Sequence, residues 1–248
     1  MNDNASPFDL TGLTAVVTGA GRGLGRGAAL GLNAAGANLI GLARTESELE
    51  SLVEEMGRGS YVVLDITDTE KVRAFFSGLE AVDILVNNAG WNRPQDALDV
   101  DDDTFSVMVD LNLRAVFVAA QAAARRMAEA GGGSIINMSS QMGHVGGPLR
   151  SVYCMTKWGV EGMSRAMAVD LASRNVRVNT VAPTFVSTPL ADKFLEDPDF
   201  KSFVLDSIPL GRLATVEEVA AAVVYLASPG AASVTGTSIL VDGGWTAK

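Results

Sequence analysis

A tyrosine and a lysine lie four residues apart in the segment Ser151-Val-Tyr-Cys-Met-Thr-Lys-Trp. On a helix this spacing places Tyr153 and Lys157 on one face, about 5–6 Å apart at their Cβ atoms. A lysine cation beside a phenol favours the phenolate, so we expect it to lower the tyrosine pKa from its ordinary value near ~10. Tyr153 would then be able to move a proton on or off a substrate oxygen. The same spacing is also typical of an ordinary half-exposed helix face, so the pair needs support from the rest of the chain.

Apolar runs of strand length alternate with helical patterns along all 248 residues. The predicted strands are Leu13–Thr18, Ala37–Leu42, Tyr61–Asp65, Val82–Asn87, Ser134–Ser139, Val176–Val181 and Ser238–Val241. The predicted helices include Gly23–Ala35, Glu46–Met56, Asp68–Phe76, Ala115–Ala130, Val152–Ser173 and Val216–Ala227. Thr67-Asp-Thr-Glu70 and Thr215-Val-Glu-Glu218 are each typical of a capping box at a helix start. Continuously apolar strands are expected when both faces of a sheet are covered, so we predict an α/β fold with a doubly wound parallel sheet of about seven strands, in a single domain over residues 1–248.

The composition excludes several classes of function. The formal net charge is −10, from 19 Lys and Arg against 29 Asp and Glu, and an acidic chain repels nucleic acid and anionic membrane surfaces. No signal peptide and no run of about 18 apolar residues is visible, which argues against a membrane span. The one cysteine, Cys154, allows no intrachain disulfide, and this suits a reducing compartment. We therefore predict a soluble cytoplasmic protein without a metal site, and we interpret Cys154 as a packing residue rather than a nucleophile.

A glycine cluster follows the first predicted strand and opens the first predicted helix, in the order Gly19-Ala-Gly-Arg-Gly-Leu-Gly25. Glycines let a turn adopt positive φ and bring backbone N–H groups close to a phosphate. The N-terminus of the following helix supplies partial positive charge for a pyrophosphate. The position of the cluster therefore predicts a Rossmann-type dinucleotide site.

The end of the second strand indicates which dinucleotide binds. NAD sites usually have an acidic residue there for the ribose hydroxyls, whereas NADP sites need a cation for the 2′-phosphate. The residues here are Ala43 and Arg44, and Arg22 in the glycine turn offers a second cation. We predict NADP as the cofactor, with NAD as the alternative if Arg44 is only a solvated residue at the start of the next helix.

With the glycine turn and the Tyr153–Lys157 pair both in place, the chain resembles the short-chain dehydrogenase/reductase family from Thr11 to about Gly244. Five motifs occur in the family's order, and they are Thr18-Gly-Ala-Gly-Arg-Gly-Leu-Gly25, Asn87-Asn-Ala-Gly90, Asn112, Ser140 and Tyr153-Cys-Met-Thr-Lys157. The resemblance implies an NADP(H)-dependent enzyme that interconverts a carbonyl and a secondary alcohol.

The resemblance also implies a catalytic set of Asn112, Ser140, Tyr153 and Lys157. Tyr153 would transfer the proton, and Ser140 would hydrogen-bond the substrate oxygen, with Ser139 as a less favoured alternative for that role. Lys157 would hold the cofactor ribose and lower the tyrosine pKa, while Asn112 would anchor a water that links Lys157 to solvent.

The cofactor contacts are predicted from the glycine turn, the two arginines and the resemblance together. Among them, Asp65 and the backbone of Ile66 would hold the adenine. The family usually has Pro-Gly after the sixth strand where this chain has Pro183-Thr184, so the local backbone there is expected to differ. The full predicted set is Gly19, Arg22, Gly23, Leu24, Gly25, Arg44, Asp65, Ile66, Asn88, Ala89, Gly90, Tyr153, Lys157, Pro183, Val186 and Thr188.

The substrate is predicted less sharply than the reaction. Candidate substrate residues are Gln141, His144, Arg150 and Arg93, and each would suit hydroxyls or a carboxylate but is also typical of a surface or inter-subunit position. We predict a sugar, polyol or sugar acid, with a 3-oxoacyl thioester of acyl carrier protein as the alternative. A non-catalytic dinucleotide-binding sensor is a further alternative. Residues 184–207 are predicted to form a substrate lid, and the resemblance implies a homotetramer built on Ala115–Ala130 and Val152–Ser173.

Overall fold

A parallel seven-stranded sheet forms the centre of the structure, which is a computed structural model describing residues 6–188 and 195–248. The strands are β1 Thr14–Thr18, β2 Asn38–Ala43, β3 Ser60–Val63, β4 Ile84–Asn87, β5 Gly133–Met138, β6 Val176–Pro183 and β7 Ser238–Val241. Their order in the sheet is β3-β2-β1-β4-β5-β6-β7. The order reverses between β1 and β4, and open α/β sheets bind ligands at such a switch point. The predicted doubly wound sheet and its seven strands are confirmed.

Helices cover both faces of the sheet. They are α1 Gly23–Ala34, α2 Glu46–Met56, α3 Thr69–Gly78, α4 Asp102–Val109, α5 Ala115–Ala130, α6 Ser151–Leu171, α7 Pro198–Ser207 and α8 Val216–Ala227. One apolar core lies between the sheet and α1, α2 and α8, and a second lies between the sheet and α3, α5 and α6. Because both faces are covered, the central strands are apolar at nearly every position, as the sequence predicts.

The ends of the predicted strands and helices differ from the observed ones by at most two residues. Helices α4 and α7 are absent from the prediction, although each begins at an aspartate cap. The Asp101 side chain accepts from Thr104 N, and the Asp197 side chain accepts from Asp199 N and Phe200 N.

The two predicted capping boxes have different outcomes. At α8, Thr215 Oγ1 accepts from Glu218 N at 3.2 Å and Glu218 Oε2 accepts from Thr215 N at 2.9 Å, so this box is confirmed. The box at Thr67 is wrong. Asp68 caps α3 by accepting from Lys71 N at 3.2 Å, while Thr67 donates to the Asp65 carboxylate.

A single continuous helix of 29 residues, Asp102–Ala130, contains an 18-residue window that is long enough and apolar enough to cross a membrane by length and composition. It joins α4 to α5 through a π-helical turn at Asp110–Arg114. No unbroken apolar run of about 18 residues occurs in this helix, so the prediction is not contradicted, and the core helix of a soluble protein passes the same test of length and average composition. Of the apolar window, 56% is buried inside the fold, as expected for a helix that packs against a sheet.

Residues 184–207, predicted as a lid, include α7. Residues 189–194 of this segment lie outside the described part of the chain, so a lid function stays a prediction.

Close packing of α1 on α8 yields a test of the fold. A Cβ added at Gly27 would lie 2.1 Å from Val216 Cγ1, which is far inside van der Waals contact. Alanine favours a helix over glycine by about 1 kcal/mol, but overpacking costs about 1–3 kcal/mol. We therefore expect Gly27→Ala to lower the free energy of unfolding, measured by urea denaturation.

Gly162 is a matched control because it is exposed on α6, and an added Cβ there would meet nothing within 4 Å. Gly162→Ala should raise the unfolding free energy by about 0.5–1 kcal/mol. A Gly27→Ala protein as stable as the Gly162→Ala protein would contradict the close α1–α8 packing.

Candidate active site

The predicted catalytic residues lie at the carboxyl ends of β4 and β5, next to the switch point. Tyr153 and Lys157 are on the first turns of α6, Ser140 follows β5, and Asn112 lies in the π-helical turn between α4 and α5. Parallel strands all end at the same edge of the sheet, so residues that are distant in sequence are collected there.

Lys157 is nearly buried, with 6% of its surface exposed. Its Nζ donates a hydrogen bond to Met138 O at 2.7 Å and lies 5.7 Å from the centroid of the Tyr153 ring. Burial disfavours the ammonium form and lowers the pKa of Lys157 to about 8, against an opposing contribution from the negative charge of Glu161. The lysine is therefore still mostly protonated at neutral pH, by a smaller margin than a lysine in water.

The phenol of Tyr153 is also shaped by burial. Burial raises its pKa above the ordinary value, and the hydrogen bond with Ser140 and the charge of Arg150 oppose this in part. The prediction that Lys157 lowers the tyrosine pKa is therefore wrong for this structure. The physical reason is that desolvation of the phenolate outweighs the Ser140 hydrogen bond and the charge of Arg150, the two contributions that lower the pKa. Tyr153 is a protonated acid at neutral pH.

Ser140 caps the short 3₁₀ turn Gln141–Gly143, where its Oγ accepts from Met142 N at 3.2 Å. The same hydroxyl donates to Gln141 Oε1 at 2.8 Å and also interacts with the Tyr153 phenol. Ser140 and Gln141 are both buried. The hydroxyl is thus fixed in direction by three neighbours. The Ser139 Oγ, in contrast, is buried without a hydrogen-bond partner among the described residues.

Asn112 lies at the centre of the π-helical turn and is fully buried. Its Oδ1 accepts from Trp91 N at 2.8 Å and its Nδ2 donates to Trp91 O at 2.7 Å. The amide therefore ties the helix to the segment that follows β4. Helical periodicity gave no signal for the π turn, and such turns are frequently found at functional sites.

The glycine turn after β1 has the positive-φ backbone that the sequence predicts. Gly19 has φ +65° and Gly23 has φ +54°, and a Cβ at Gly25 would lie 2.1 Å from Gly19 O. Asn88 holds this turn because its Nδ2 donates to the carbonyl oxygens of Thr18 and Gly19 at 3.1 and 3.2 Å. A side chain at Gly25 would therefore collide with the turn itself, whereas at Gly19 and Gly23 the positive φ is what favours glycine.

The surroundings of this turn fit a bound dinucleotide phosphate. Four other helices have a side-chain cap at their N-terminus, but α1 has neither a side-chain cap nor an acidic residue in its first turn. A Cβ at Gly23 would meet nothing within 4 Å, so the space above the turn is open. Unpaired N–H groups at an open helix start favour an anion. The partly buried Leu24 packs into the core beneath.

Two exposed arginines stand near the predicted adenosine end of this site. Arg22 precedes α1, and Arg44 follows β2 with 75% of its side chain exposed. Arg44 Nη1 lies 3.9 Å from Asp65 Oδ2, a distance too long for a strong contact at exposed positions. Asp65 is oriented by Thr67, whose N and Oγ1 donate to its Oδ1 at 2.9 and 2.8 Å, and Ile66 is buried beside it.

The other predicted cofactor residues lie after β4 and β6. Ala89 N donates to Thr18 Oγ1 at 3.1 Å, and a Cβ at Gly90 would lie 3.3 Å from Asn112 Oδ1. Pro183 ends β6, Val186 bridges to Ala214, and Thr188 is the last residue described before 195.

Thr184, where the family usually has glycine, is tolerated because its backbone φ is not positive. Its N donates to Val241 O at 3.2 Å, so it extends the pairing of β6 with β7. Its Oγ1 is buried and has no hydrogen-bond partner within the described part of the chain.

The four candidate substrate residues are distributed around the site. Gln141 Oε1 accepts from Ser140, and Arg150 lies close enough to Tyr153 for its charge to act on the phenol. Arg93 Nη1 donates to Thr104 Oγ1 at 3.0 Å. His144 Nε2 lies 3.2 Å from Glu161 Oε1 and 3.0 Å from Ser238 Oγ. Gln141 and Arg150 therefore adjoin the catalytic groups, whereas Arg93 and His144 are engaged with other elements.

Glu161 is a buried residue beside the site that the sequence analysis missed. It lies one turn after Lys157 on α6, and its position in a Tyr–Lys–Glu series of spacing four is the signal that would have identified it.

Comparison with known proteins relates this geometry to established enzymes. The family model described as enoyl-(acyl carrier protein) reductase matches residues 19–246. L-xylulose reductase from Bos taurus is 40% identical over 239 residues, which are 96% of this chain and 98% of the relative. The solved structure of a gluconate 5-dehydrogenase from Burkholderia cenocepacia, in complex with NADP and tartrate, has a TM-score of 0.93 and 33% identity, and the match covers 98% of each chain.

A solved structure of a short-chain type dehydrogenase/reductase from Mycobacterium marinum has a TM-score of 0.91 at 36% identity, and the match covers 97% of this chain and 98% of that one. These relatives therefore share both more than 30% sequence identity over almost the whole chain and, where a structure is solved, the same fold. The chain belongs to the short-chain dehydrogenase/reductase family, and it is an oxidoreductase of that family.

Proposed function

We propose that this protein is an NADP(H)-dependent enzyme that interconverts a ketone and a secondary alcohol on a sugar, polyol or sugar acid. The observation that carries the proposal is the meeting of Ser140, Tyr153 and Lys157 at one end of the sheet. Tyr153 is a protonated phenol that interacts with the Ser140 hydroxyl, and the Lys157 Nζ is 5.7 Å from its ring. Two oxygen donors and a cation in one place are the groups that polarise and protonate a carbonyl oxygen.

In the reductive direction, Tyr153 donates its proton to the carbonyl oxygen while the Ser140 hydroxyl hydrogen-bonds the same oxygen. The raised pKa of Tyr153 keeps this proton in place at neutral pH. Lys157 stabilises the phenolate that remains, because its ammonium form is adjacent and poorly solvated. Oxidation of the alcohol uses the same groups in reverse.

Resupply of the proton is assigned to the π-helical turn. The Asn112 amide is already bonded to Trp91, so a relay water would be held by the backbone of the turn. A π turn replaces the usual i→i+4 backbone bonds by i→i+5 bonds, which changes the pairing of the backbone carbonyl groups in the turn. We assign the relay water to the backbone of the turn for this reason.

NADPH, when bound, supplies the hydride. The open glycine turn and the start of α1 would hold its pyrophosphate, and Lys157 would hold the nicotinamide ribose. Asp65 and Ile66 would contact the adenine, while Arg22 and Arg44 would pair with the 2′-phosphate. The NADP in the gluconate 5-dehydrogenase structure supports this choice. The remaining proposed contacts are Leu24, Asn88, Ala89, Gly90, Pro183, Val186 and Thr188.

The proposed substrate class follows from the polar groups next to the phenol. Gln141 and Arg150 adjoin Ser140 and Tyr153, and an amide with a guanidinium suits hydroxyls and a carboxylate. The relatives named for L-xylulose and gluconate support this class. The alternative is a 3-oxoacyl thioester, favoured by the acyl-carrier-protein description of the family model. Arg93 and His144 would act further from the reacting carbon.

A substrate panel followed by nicotinamide absorbance tests the proposal. We expect turnover of ketoses, polyols or sugar acids with NADP(H), and Tyr153→Phe should reduce kcat by at least about 100-fold because the proton donor is lost. NADPH affinity, measured by fluorescence, should be unchanged in the variant. We further expect alcohol oxidation to become faster as pH rises from neutrality towards the Lys157 pKa of about 8, because the phenol pKa is raised, oxidation needs the phenolate, and the Lys157 ammonium is still present over this range.

The other outcomes of the panel separate the alternatives. Turnover of a 3-oxoacyl thioester alone would favour the acyl-carrier-protein reductase. Normal NADPH binding without turnover of any compound would favour a dinucleotide sensor. Unchanged kcat in Tyr153→Phe would exclude Tyr153 as the proton donor.

Arg44 gives a separate test of the cofactor. If its guanidinium pairs with the 2′-phosphate, Arg44→Ala should weaken NADPH binding by about 10- to 100-fold, as expected for a lost charge-assisted hydrogen bond. NADH has no 2′-phosphate, so its dissociation constant in the same variant is the internal control and should change less than twofold (about the size of experimental scatter). Equal losses for both dinucleotides would contradict the assignment.

A homotetramer is the proposed assembly. Large apolar side chains are exposed on α4, α5 and α6, and they are Phe105, Phe117, Met155 and Trp158. Exposed apolar groups on neighbouring helices are typical of a subunit interface. A cytoplasmic location is proposed because the one cysteine, Cys154, allows no intrachain disulfide and suits a reducing compartment. Residues 184–207 remain the proposed lid.

The interface is tested at Trp158, of which 51% is exposed. Trp158→Glu places a charge in the proposed contact, so sedimentation velocity should detect a species smaller than the wild type. Val63, which is exposed at 47% on the edge strand β3, provides the control variant Val63→Glu, which should sediment as the wild type does. A wild-type monomer would refute the assembly outright.

A further inference from the structure

Glu161 is a buried carboxylate that the proposed reaction does not use. It lies on α6 one helical turn after Lys157, with only 2% of its side chain exposed. A spacing of four residues places the carboxylate on the same face of α6 as Lys157 and Tyr153. An ionised group is retained in such a position only with compensating hydrogen bonds or charges.

Hydroxyl donors from two strands hold one oxygen of this carboxylate. Thr180 Oγ1 on β6 donates to Glu161 Oε1 at 2.9 Å, and Ser238 Oγ on β7 donates to it at 3.1 Å. His144 Nε2 lies within 3.2 Å of the same oxygen. The second oxygen faces Arg165 Nη2 at 3.5 Å, but the Arg165 side chain is 55% exposed. The two hydroxyl donors carry no charge, and the arginine is solvated, so they stabilise the carboxylate without cancelling its negative charge. The field of that charge therefore still acts on groups in the interior.

The turn that carries Ser140 packs directly on this part of α6. A Cβ on Gly143 would lie 2.8 Å from Ser139 Oγ, 3.1 Å from Lys157 O and 3.2 Å from Glu161 Cγ. Glycine at this position therefore allows the turn to contact both charged residues of α6. His144, the next residue, completes the contact through its ring nitrogen.

Lys157 needs a negative charge nearby. Among the described residues, its Nζ donates one hydrogen bond, to Met138 O. A single carbonyl acceptor does not offset the free-energy cost of removing an ammonium group from water. Burial lowers the pKa of Lys157 to about 8, and the charge of Glu161 is the contribution that opposes the fall. The titratable or charged groups in contact with Glu161 are His144 and Arg165, together with Lys157 through its field.

We propose that Glu161 is a positioning residue whose buried negative charge keeps Lys157 in its ammonium form and whose hydrogen bonds hold the Ser140 turn against β6 and β7. Glu161 touches neither substrate nor cofactor in this role, and it acts through Lys157. The catalytic part of this inference rests on the proposed function above, whereas the electrostatic part concerns the free protein alone.

Titration of Lys157 by NMR in the cofactor-free protein, with ¹³C-labelled lysine, tests the electrostatic part directly. The signal is assigned by its loss in Lys157→Arg. In the wild type we expect an apparent pKa near the value of about 8, and a neutral Lys157 at pH 7 would overturn the proposal without any variant of Glu161. In Glu161→Gln we expect a pKa lower by about one to two units, because an opposite charge at this range shifts a pKa by that amount.

The pH dependence of kcat/KM for carbonyl reduction tests the catalytic part. In Glu161→Gln the ammonium is lost at lower pH, so the decline on the alkaline side should begin about one pH unit or more below the wild type. Glu161→Asp keeps the charge and should keep the wild-type profile. A Glu161→Gln profile that superimposes on the wild type would overturn the proposal.

Two controls separate Lys157 from its neighbours. His144→Asn removes the other titratable group but keeps a hydrogen-bonding side chain, so the decline should stay at the wild-type pH. If the decline disappears in His144→Asn, the histidine is responsible and the proposal is refuted. Arg165→Gln removes an exposed cation and should leave the Lys157 pKa unchanged or slightly raised, and a fall as large as that of Glu161→Gln would also refute it.

Failure of this proposal is distinguishable from failure of the proposed function. If Tyr153→Phe retains full turnover, the reaction assignment fails, but the NMR titration still reports whether Glu161 sets the charge of Lys157. If Tyr153→Phe is inactive and Glu161→Gln leaves the Lys157 pKa unchanged, only the inference about Glu161 fails.

Discussion

The desolvated charge of Lys157 is the constraint on which the arrangement of this site depends. An ammonium group without water must be supplied with acceptors or negative charge by the fold. The carbonyl oxygen of Met138 is such an acceptor, at 2.7 Å from the Lys157 Nζ. This hydrogen bond fixes the end of β5 to the second turn of α6. Since Ser140 follows β5 and Tyr153 precedes Lys157 on α6, this one hydrogen bond also sets the distance between the two groups proposed to hold the substrate oxygen.

The two halves of the site are held by different means. The dinucleotide half depends on backbone contacts at the switch point, where Thr18 and Asn88 bind the glycine turn to the end of β4. The substrate half depends on side chains from segments after the strands. Asn112 holds the segment that begins at Trp91, and Gln95 N donates to Leu149 O at 3.0 Å to join that segment to the loop before α6. One fold can act on different substrates through the side chains of such segments, because the strands that carry the dinucleotide half do not depend on them.

Features determined by local sequence were predictable, and features determined by tertiary burial were not. The glycine turn, the Tyr153–Lys157 spacing and the strand positions depend on nearby residues, and each is found close to where the sequence predicts it. Helix α7 was missed although aspartate followed by proline, at Asp197-Pro198, is a standard helix start. The direction of the Tyr153 pKa was predicted wrongly because spacing reveals the neighbouring lysine but not the desolvation of the phenol. The π turn at Asn112 left no periodic signal, and the contacts of Glu161 join residues far apart in sequence.

Unpaired polar atoms in the described part of the molecule are concentrated at the same edge of the sheet. Five of the six buried side-chain atoms without a partner lie at or just after the ends of β4, β5 and β6, and they belong to Asn87, Asn92, Gln95, Ser139 and Thr184. Each such group costs about 1–3 kcal/mol relative to a satisfied one. Natural sequences accept such local costs mainly at functional sites. The loss of folding free energy from unpaired polar atoms is therefore local to the edge of the sheet that holds Ser140 and Tyr153. Burial of apolar residues in the two cores, one on each face of the sheet, offsets this loss.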